Sequence, residues 1–262
     1  MKLLWIGALL STLALGTSHA DILTKEVDYQ VNGVTMKGFM AYDNTTEEKR
    51  PGVLIVHEWW GMNDYARKRA RMLAEMGYTA FALDMYGDGR QAHHPDDAGK
   101  FSSEVMKNQE LARARFNGAL EVLRKEKTVD PQRVAAIGYC FGGAVALQMA
   151  RYGVDLKGVV SFHGNLAPVS PAEPGAVKAK LLVLTGGDDP FVPAEQVEQF
   201  RQEMDAAKAD YEVIAYPGAK HSFTNPGADE FGKKFNLPLA YDKAADEASW
   251  KEMQDFFHQV LK

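Results

Sequence analysis

Two hydrophobic periods alternate along this chain. Val53–Glu58, Tyr78–Tyr86, Val134–Tyr139, Leu156–Phe162, Lys180–Thr185 and Tyr211–Tyr216 are short, mostly apolar runs. Runs of that length without polar alternation read as strands buried on both faces. Between them lie longer stretches of mixed polarity: Tyr65–Met76, Asp97–Lys127, about Phe141 to Arg151, Pro193–Lys208 and Asp242–Leu261. These read as helices, with a break in the second near Asn108. Pro193 suits a first helical position, where its missing N–H costs nothing. Near the start, Val27–Val31 and Thr35–Tyr42 flank Asn32-Gly33, a two-residue hairpin signal. After that hairpin, strands alternate with helices, which predicts a mostly parallel, twisted sheet of about eight strands with helices on both faces. Ala167–Val177 is Pro-rich and suits a crossover loop, irregular or with a short helix. No repeat, linker or low-complexity stretch divides the chain, so residues 21–262 read as a single α/β domain.

The first residues follow neither period. Lys2 is followed by an apolar run from Leu3 to Leu15 and then Ser18-His19-Ala20, a small-x-small site. This is the pattern of a secretory signal peptide, residues 1–20, and the run is shorter than the roughly 20 residues a spanning helix needs. The mature protein is then secreted, or periplasmic in a Gram-negative host. The chain has 262 residues, with 46% hydrophobic and 25% charged, which is ordinary globular composition. Its net charge of −5 argues against nucleic acid or an anionic membrane as partner. Arg67, Lys68, Arg69 and Arg71 fall on one helical stretch and read as its solvated face. Asn44-Thr-Thr46 matches a glycosylation sequon, meaningful only in a host that glycosylates.

The chain has one cysteine, so no internal disulfide is available to an exported protein. A lone thiol in an oxidising compartment needs a chemical reason. Cys140 lies in Val134-Ala-Ala-Ile-Gly-Tyr-Cys140-Phe-Gly-Gly143, a strand, a Gly-x-Cys-x-Gly turn and a small-residue helix start. That is the layout of a nucleophile elbow with sulfur for oxygen; the alternative is a buried structural cysteine. In this fold order the acid follows the nucleophile and the histidine comes last. Asp188 or Asp189 follows the strand ending at Thr185, and His221 follows the strand ending at Tyr216. His57-Glu58-Trp59-Trp60-Gly61 ends an earlier strand, where such enzymes supply an oxyanion amide, here Trp59 N–H paired with that of Phe141. Glu58 is an unexpected charge at the end of a buried strand. It reads either as a solvent-reaching residue or as a group that tunes the thiol. His163 after the Leu156 strand is either structural or a support to the site. His93-His94-Pro-Asp-Asp97 lacks a third metal ligand and reads as a loop before a helix capped by Asp96. Neither metal nor cofactor is expected. Trp59, Trp60, Tyr86, Phe191 and Phe223, with Tyr139 and Phe162, stand near strand ends, to line an apolar pocket or fill the core.

With His57-Glu58-Trp-Trp-Gly61, Gly138-Tyr-Cys-Phe-Gly-Gly143, Asp189-Pro-Phe-Val-Pro193 and His221-Ser-Phe223 in this order, the chain resembles the dienelactone hydrolase (carboxymethylenebutenolidase) family. The resemblance implies an α/β-hydrolase fold without a large cap domain and a Cys–His–Asp triad of Cys140, His221 and Asp189. It also implies oxyanion amides at Trp59 and Phe141, and a Glu58 that meets the resting cysteine and is displaced by substrate. The family holds a substrate carboxylate with two arginines. Arg90 matches one, whereas Asn225 stands where the other is expected. Arg90, Tyr86, Trp60 and Phe223 are the expected substrate-binding side chains.

Sulfur adds a constraint on substrate. A thiolate attacks carbonyls well but also leaves well, so the reaction runs forward when the other leaving group is stabilised. Enol lactones, aryl esters and thioesters fit. The expected activity is hydrolysis of an activated small-molecule ester or lactone by a monomer. A thioesterase or acyltransferase with the same residues, or a non-catalytic small-ligand binder on this scaffold, are the alternatives.

Overall fold

Asn32 and Gly33 take positive φ angles of 50° and 80°. This turn folds β1 (Ile22–Val31) onto β2 (Val34–Asp43) in antiparallel register, Val31 facing Val34. A two-residue turn with both central residues at positive φ matches the right-handed twist of the strands it joins. The hairpin is the edge of an eight-stranded sheet in the order β1-β2-β4-β3-β5-β6-β7-β8. β2 meets β4 (Thr79–Leu83) antiparallel, and every later pairing is parallel. The other strands are β3 (Arg50–Val56), β5 (Val129–Tyr139), β6 (Gly158–Phe162), β7 (Lys180–Gly186) and β8 (Tyr211–Tyr216). The structure, a computed structural model, describes residues 20–262. The expected signal peptide lies outside the described residues, apart from Ala20 at its end.

Alternate side chains of one strand leave on opposite faces. On β3, Leu54 and Val56 join a core with Phe116 of α3 (Gln109–Lys125), Val145 of α4 (Phe141–Arg151) and Phe200 of α5 (Ala194–Ala206). Val53 and Ile55 face the opposite core, with Leu73 of α1 (Asp64–Glu75) and Phe257 of α7 (Lys243–Val260). Both faces of the sheet are therefore covered, as its apolar strands require. Among the described residues no helix is long and apolar enough to cross a membrane.

Local chemistry moves several boundaries. The expected 97–127 helix is two, α2 (Pro95–Lys107) and α3, because Asn108 leaves helical geometry (φ −116°, ψ 87°) and its side chain accepts the Leu111 N–H at 3.0 Å. His94 rather than Asp96 caps α2, with Pro95 as its first residue. Pro193 stands one place earlier than expected, as the N-cap of α5. The 167–177 connection is irregular, and a short helix, α6 (Ala228–Phe235), lies where none was expected. The basic stretch on α1 is not wholly solvated. Lys68 and Arg71 are exposed, whereas Arg69 is buried, donating to Asp246 Oδ1 of α7 at 2.5 Å and to the Thr224 carbonyl at 2.7 Å.

Candidate active site

The site forms where β5 turns into α4. Cys140 takes φ 52° and ψ −117°, a conformation that costs a non-glycine residue energy and persists only when its surroundings hold it. The flanking residues must be small. A Cβ on Gly138 would run into the Gly142 carbonyl, and one on Gly142 into the Val56 carbonyl of β3. The Cys140 N–H is shared between the Phe162 carbonyl (3.0 Å) and Nδ1 of His163 (3.1 Å). His163 is fully buried, with φ 41°. Because its Nδ1 accepts, its Nε2 carries the hydrogen and donates to Thr224 Oγ1 at 2.8 Å. Burial first, then the charges of His221 and Arg69, hold its pKa well below the ordinary 6.5, so it is neutral. Thr224 Oγ1 lies 2.6 Å from the Tyr65 hydroxyl, which accepts from Arg69 Nε at 3.2 Å. A buried polar chain thus runs from the elbow to α1.

His221, in the loop after β8, reaches the sulfur. Its Nε2 lies 3.1 Å from Cys140 Sγ, and its Nδ1–H donates to Asp189 Oδ2 at 2.8 Å. Asp189, in the loop after β7, is buried, and its Oδ1 accepts the Phe191 N–H. Asp188 is exposed and takes no part. Burial alone would lower the His221 pKa. The adjacent Cys140 sulfur and the Asp189 carboxylate outweigh it and push it up to about 10. The imidazole therefore keeps its proton at neutral pH. The backbone of His221 is held as well, by a parallel bridge to Leu239 and by the Ala240 N–H.

Across the cleft, β3 ends at Val56 and His57 turns inward. Its Nε2 accepts the Met85 N–H at 3.1 Å, and its Nδ1–H donates to the Glu58 carbonyl at 2.5 Å. Burial lowers its pKa, so it too is neutral. This fixes the peptide plane whose other end is the Trp59 N–H. Among the described residues, neither that N–H nor the one of Phe141 donates to another backbone carbonyl outside its own helix.

Glu58 departs from what the resemblance implied. Its carboxylate accepts from Asn225 Nδ2 at 2.6 Å and Ser222 Oγ at 3.2 Å, and the partner of the sulfur is His221 instead. Two donors satisfy the buried oxygens, and Asn225 is itself pinned because its Oδ1 accepts the Gly227 N–H. Burial raises the Glu58 pKa, opposed by Asn225, His221 and Ser222.

Cys140 and His221 open onto a cavity of about 350 Å³, small among ligand sites. Trp59, Phe141, Ala144, Met106 of α2, Leu237 and Leu239 line it. Phe191 stands at the rim, 44% exposed. Four expected substrate contacts do not line it. The Arg90 guanidinium is turned onto the Tyr86 carbonyl and Glu104 and lies over Phe101. The Tyr86 hydroxyl is tied to the Trp59 carbonyl at 2.8 Å. Trp60 stacks on Phe231 of α6, and Phe223 is buried against His163. Of the other aromatics, Tyr139 and Phe162 stack on each other in the core. Asp84 went unread: its carboxylate accepts the N–H groups of Tyr86, Gly87 and Gly89 and shapes the loop that carries Arg90. An acid at a strand end before Tyr-Gly-Asp-Gly was the available signal. Met106, Leu237 and Leu239 gave none.

The dienelactone hydrolase family model matches residues 36–261. Protein usf of Aquifex pyrophilus is 27% identical over 240 residues, covering 90% of this chain and 98% of that one. An Escherichia coli (strain K12) protein provisionally named carboxymethylenebutenolidase is 30% identical over 246 residues, covering 87% of this chain and 83% of that one. Among solved structures, a dienelactone hydrolase-like promiscuous phosphotriesterase from metagenomic libraries superposes with a TM-score of 0.86 at 35% identity, covering 92% of this chain and 99% of that one. The eight-stranded sheet without a separate cap domain, the match across most of the chain and these likenesses agree: the chain belongs to the dienelactone hydrolase family and is an ester-hydrolysing enzyme of α/β-hydrolase fold.

Proposed function

We propose that this enzyme hydrolyses activated esters or lactones through a thioacyl-enzyme on Cys140, with His221 and Asp189 completing a triad. The observation that carries the reading is the chain of contacts Sγ–Nε2 at 3.1 Å and Nδ1–Oδ2 at 2.8 Å, opening onto an apolar cavity. The Cys140 thiolate attacks the carbonyl carbon. The carbonyl π pair moves to oxygen, which the N–H groups of Trp59 and Phe141 receive. Collapse expels the alcohol or enol oxygen, which takes the proton held on His221 Nε2. His221, now neutral, takes a proton from water, and the hydroxide adds to the thioester. Collapse of that adduct returns the thiolate and releases the acid. Asp189 holds the imidazole in the tautomer this sequence needs. Glu58 keeps Ser222 and Asn225 in place beside His221. The signal sequence read over residues 1–20 supports export of the mature enzyme.

Cys140→Ala should abolish turnover of 4-nitrophenyl acetate, and with it the acyl adduct seen by mass spectrometry after rapid quench. Turnover near wild type in that variant would end the reading. A second reading, hydrolysis of a neutral phosphotriester at the same sulfur, draws on the likeness to the metagenomic phosphotriesterase. Diethyl 4-nitrophenyl phosphate, assayed beside the ester, separates the two.

A further inference from the structure

We infer that this site takes an uncharged, apolar acyl group, and that it selects against substrates whose acyl chain carries a carboxylate. The inference rests on the ester-hydrolase reading above and concerns what that site accepts.

Among the described residues lining the cavity, only Cys140 and His221 are ionisable, and both belong to the proposed reaction. Among the described residues no lysine or arginine lines it. Arg90, the cation expected to bind substrate, spends its guanidinium on the Tyr86 carbonyl at 2.5 Å and on Glu104 at 3.2 Å. Asn225 turns its amide onto Glu58 and Gly227 rather than into the cavity. The polar groups that do line the wall are mostly committed. Ser102 donates to the Ala98 carbonyl of its own helix at 2.7 Å. Asn165 accepts the Ala167 N–H at 3.0 Å and donates to the Phe191 carbonyl at 3.4 Å.

A carboxylate placed here would lose water, and the His221 imidazolium that lines the cavity is already held between the Asp189 carboxylate and the Cys140 sulfur. It would also approach a sulfur that must carry negative charge to react. A methyl or alkyl end instead meets Met106, Leu237 and Leu239, and its burial is favourable in proportion to area. Leu239 pairs with the backbone of His221, so the wall that meets the acyl chain also holds the histidine.

The test uses two 4-nitrophenyl esters of adipic acid, one with the far carboxyl free and one with it methylated. They share one leaving group and one six-carbon acyl chain, and differ at the far end, a carboxylate in one and its uncharged methyl ester in the other. Rates are taken on wild type, Cys140→Ala and Met106→Lys. Wild type should favour the methylated ester in kcat/KM by at least about 100-fold, the scale expected for a charge desolvated without a partner. Met106→Lys places a cation on the wall and should narrow that ratio by about tenfold, chiefly by raising turnover of the free acid. Comparable kcat/KM for the two esters in wild type would overturn the inference while leaving the hydrolase reading intact. A ratio unmoved in folded, active Met106→Lys would overturn the assignment of the acyl chain to this wall. If neither ester is turned over faster by wild type than by Cys140→Ala, the hydrolase reading falls, and the inference with it.

Discussion

His57 holds no substrate-facing position, yet it grips one end of the peptide whose other end is the Trp59 N–H. A donor on that carbonyl fixes the plane and polarises the N–H. His57→Phe should therefore lower kcat for 4-nitrophenyl acetate by about 10²-fold, the scale of losing one oxyanion donor. Alkylation of Cys140 by iodoacetamide builds no oxyanion and should keep its wild-type rate. His57→Gln, which can still donate and accept, should recover most of the loss. Slowed alkylation in His57→Phe would point to a displaced sulfur instead. His221 is governed by charge. With the Cys140 sulfur and Asp189 beside it, its pKa is raised to about 10. Cys140→Ala removes the larger of these two supports, and burial then acts against a single carboxylate. NMR titration of the imidazole should show a pKa well below 10 in that variant. An unchanged value would assign the shift to Asp189 alone.

Arg69 joins elements that are distant in sequence: it sits on α1, pairs with Asp246 of α7 and donates to the Thr224 carbonyl of the histidine loop. Removing one partner of a buried pair leaves a desolvated charge, at a cost of about 3–5 kcal/mol. Arg69→Met should lower stability by about that much in denaturant melts, and Arg69→Met with Asp246→Leu should recover a substantial part. A double variant no better than the single would assign the loss to packing against Tyr65 and Trp250. The sequence pattern placed Arg69 on a solvated face because its partner lies 177 residues away, where no local period reports it. What was legible was local. Asn32-Gly33 announced the hairpin, Asn108 the helix break, and the residues just after β5, β7 and β8 the positions of Cys140, Asp189 and His221. Strand order brings those three loops to one end of the sheet. Side-chain direction was not legible. Trp60, Tyr86 and Phe223 lie in the right loops but turn away from the cavity, held by α6, by the Trp59 carbonyl and by His163. α6 escaped because it is eight residues long with Gly232 inside it, too short for a helical period to emerge.

A parallel sheet covered on both faces leaves its polar work to the carboxyl ends of the strands, and there this molecule buries an acid. Glu58 is 2% exposed, and the donors that reach its carboxylate are the neutral Ser222 and Asn225 side chains. Burial, its largest influence, raises its pKa above the ordinary 4.5. A folded-state pKa above the unfolded one means that the folded protein binds the proton more tightly. The corresponding stability is fully present below pH 4.5 and is lost as pH rises through the raised folded value. Above that raised value the ionised carboxylate lowers the stability of the whole fold. Glu58→Gln keeps the shape: its Oε1 can accept from Asn225, and its Nε2 can donate to Ser222 once that hydroxyl rotates. The variant should melt above wild type at pH 7, and the gap should shrink as pH falls towards 4.5, where the wild-type acid takes up its proton. Parallel melting curves at the two pH values would mean that Glu58 ionises as freely in the folded protein as in the unfolded chain. A wild type more stable than the variant at pH 7 would mean that Asn225 and Ser222 outweigh burial and hold the carboxylate charged.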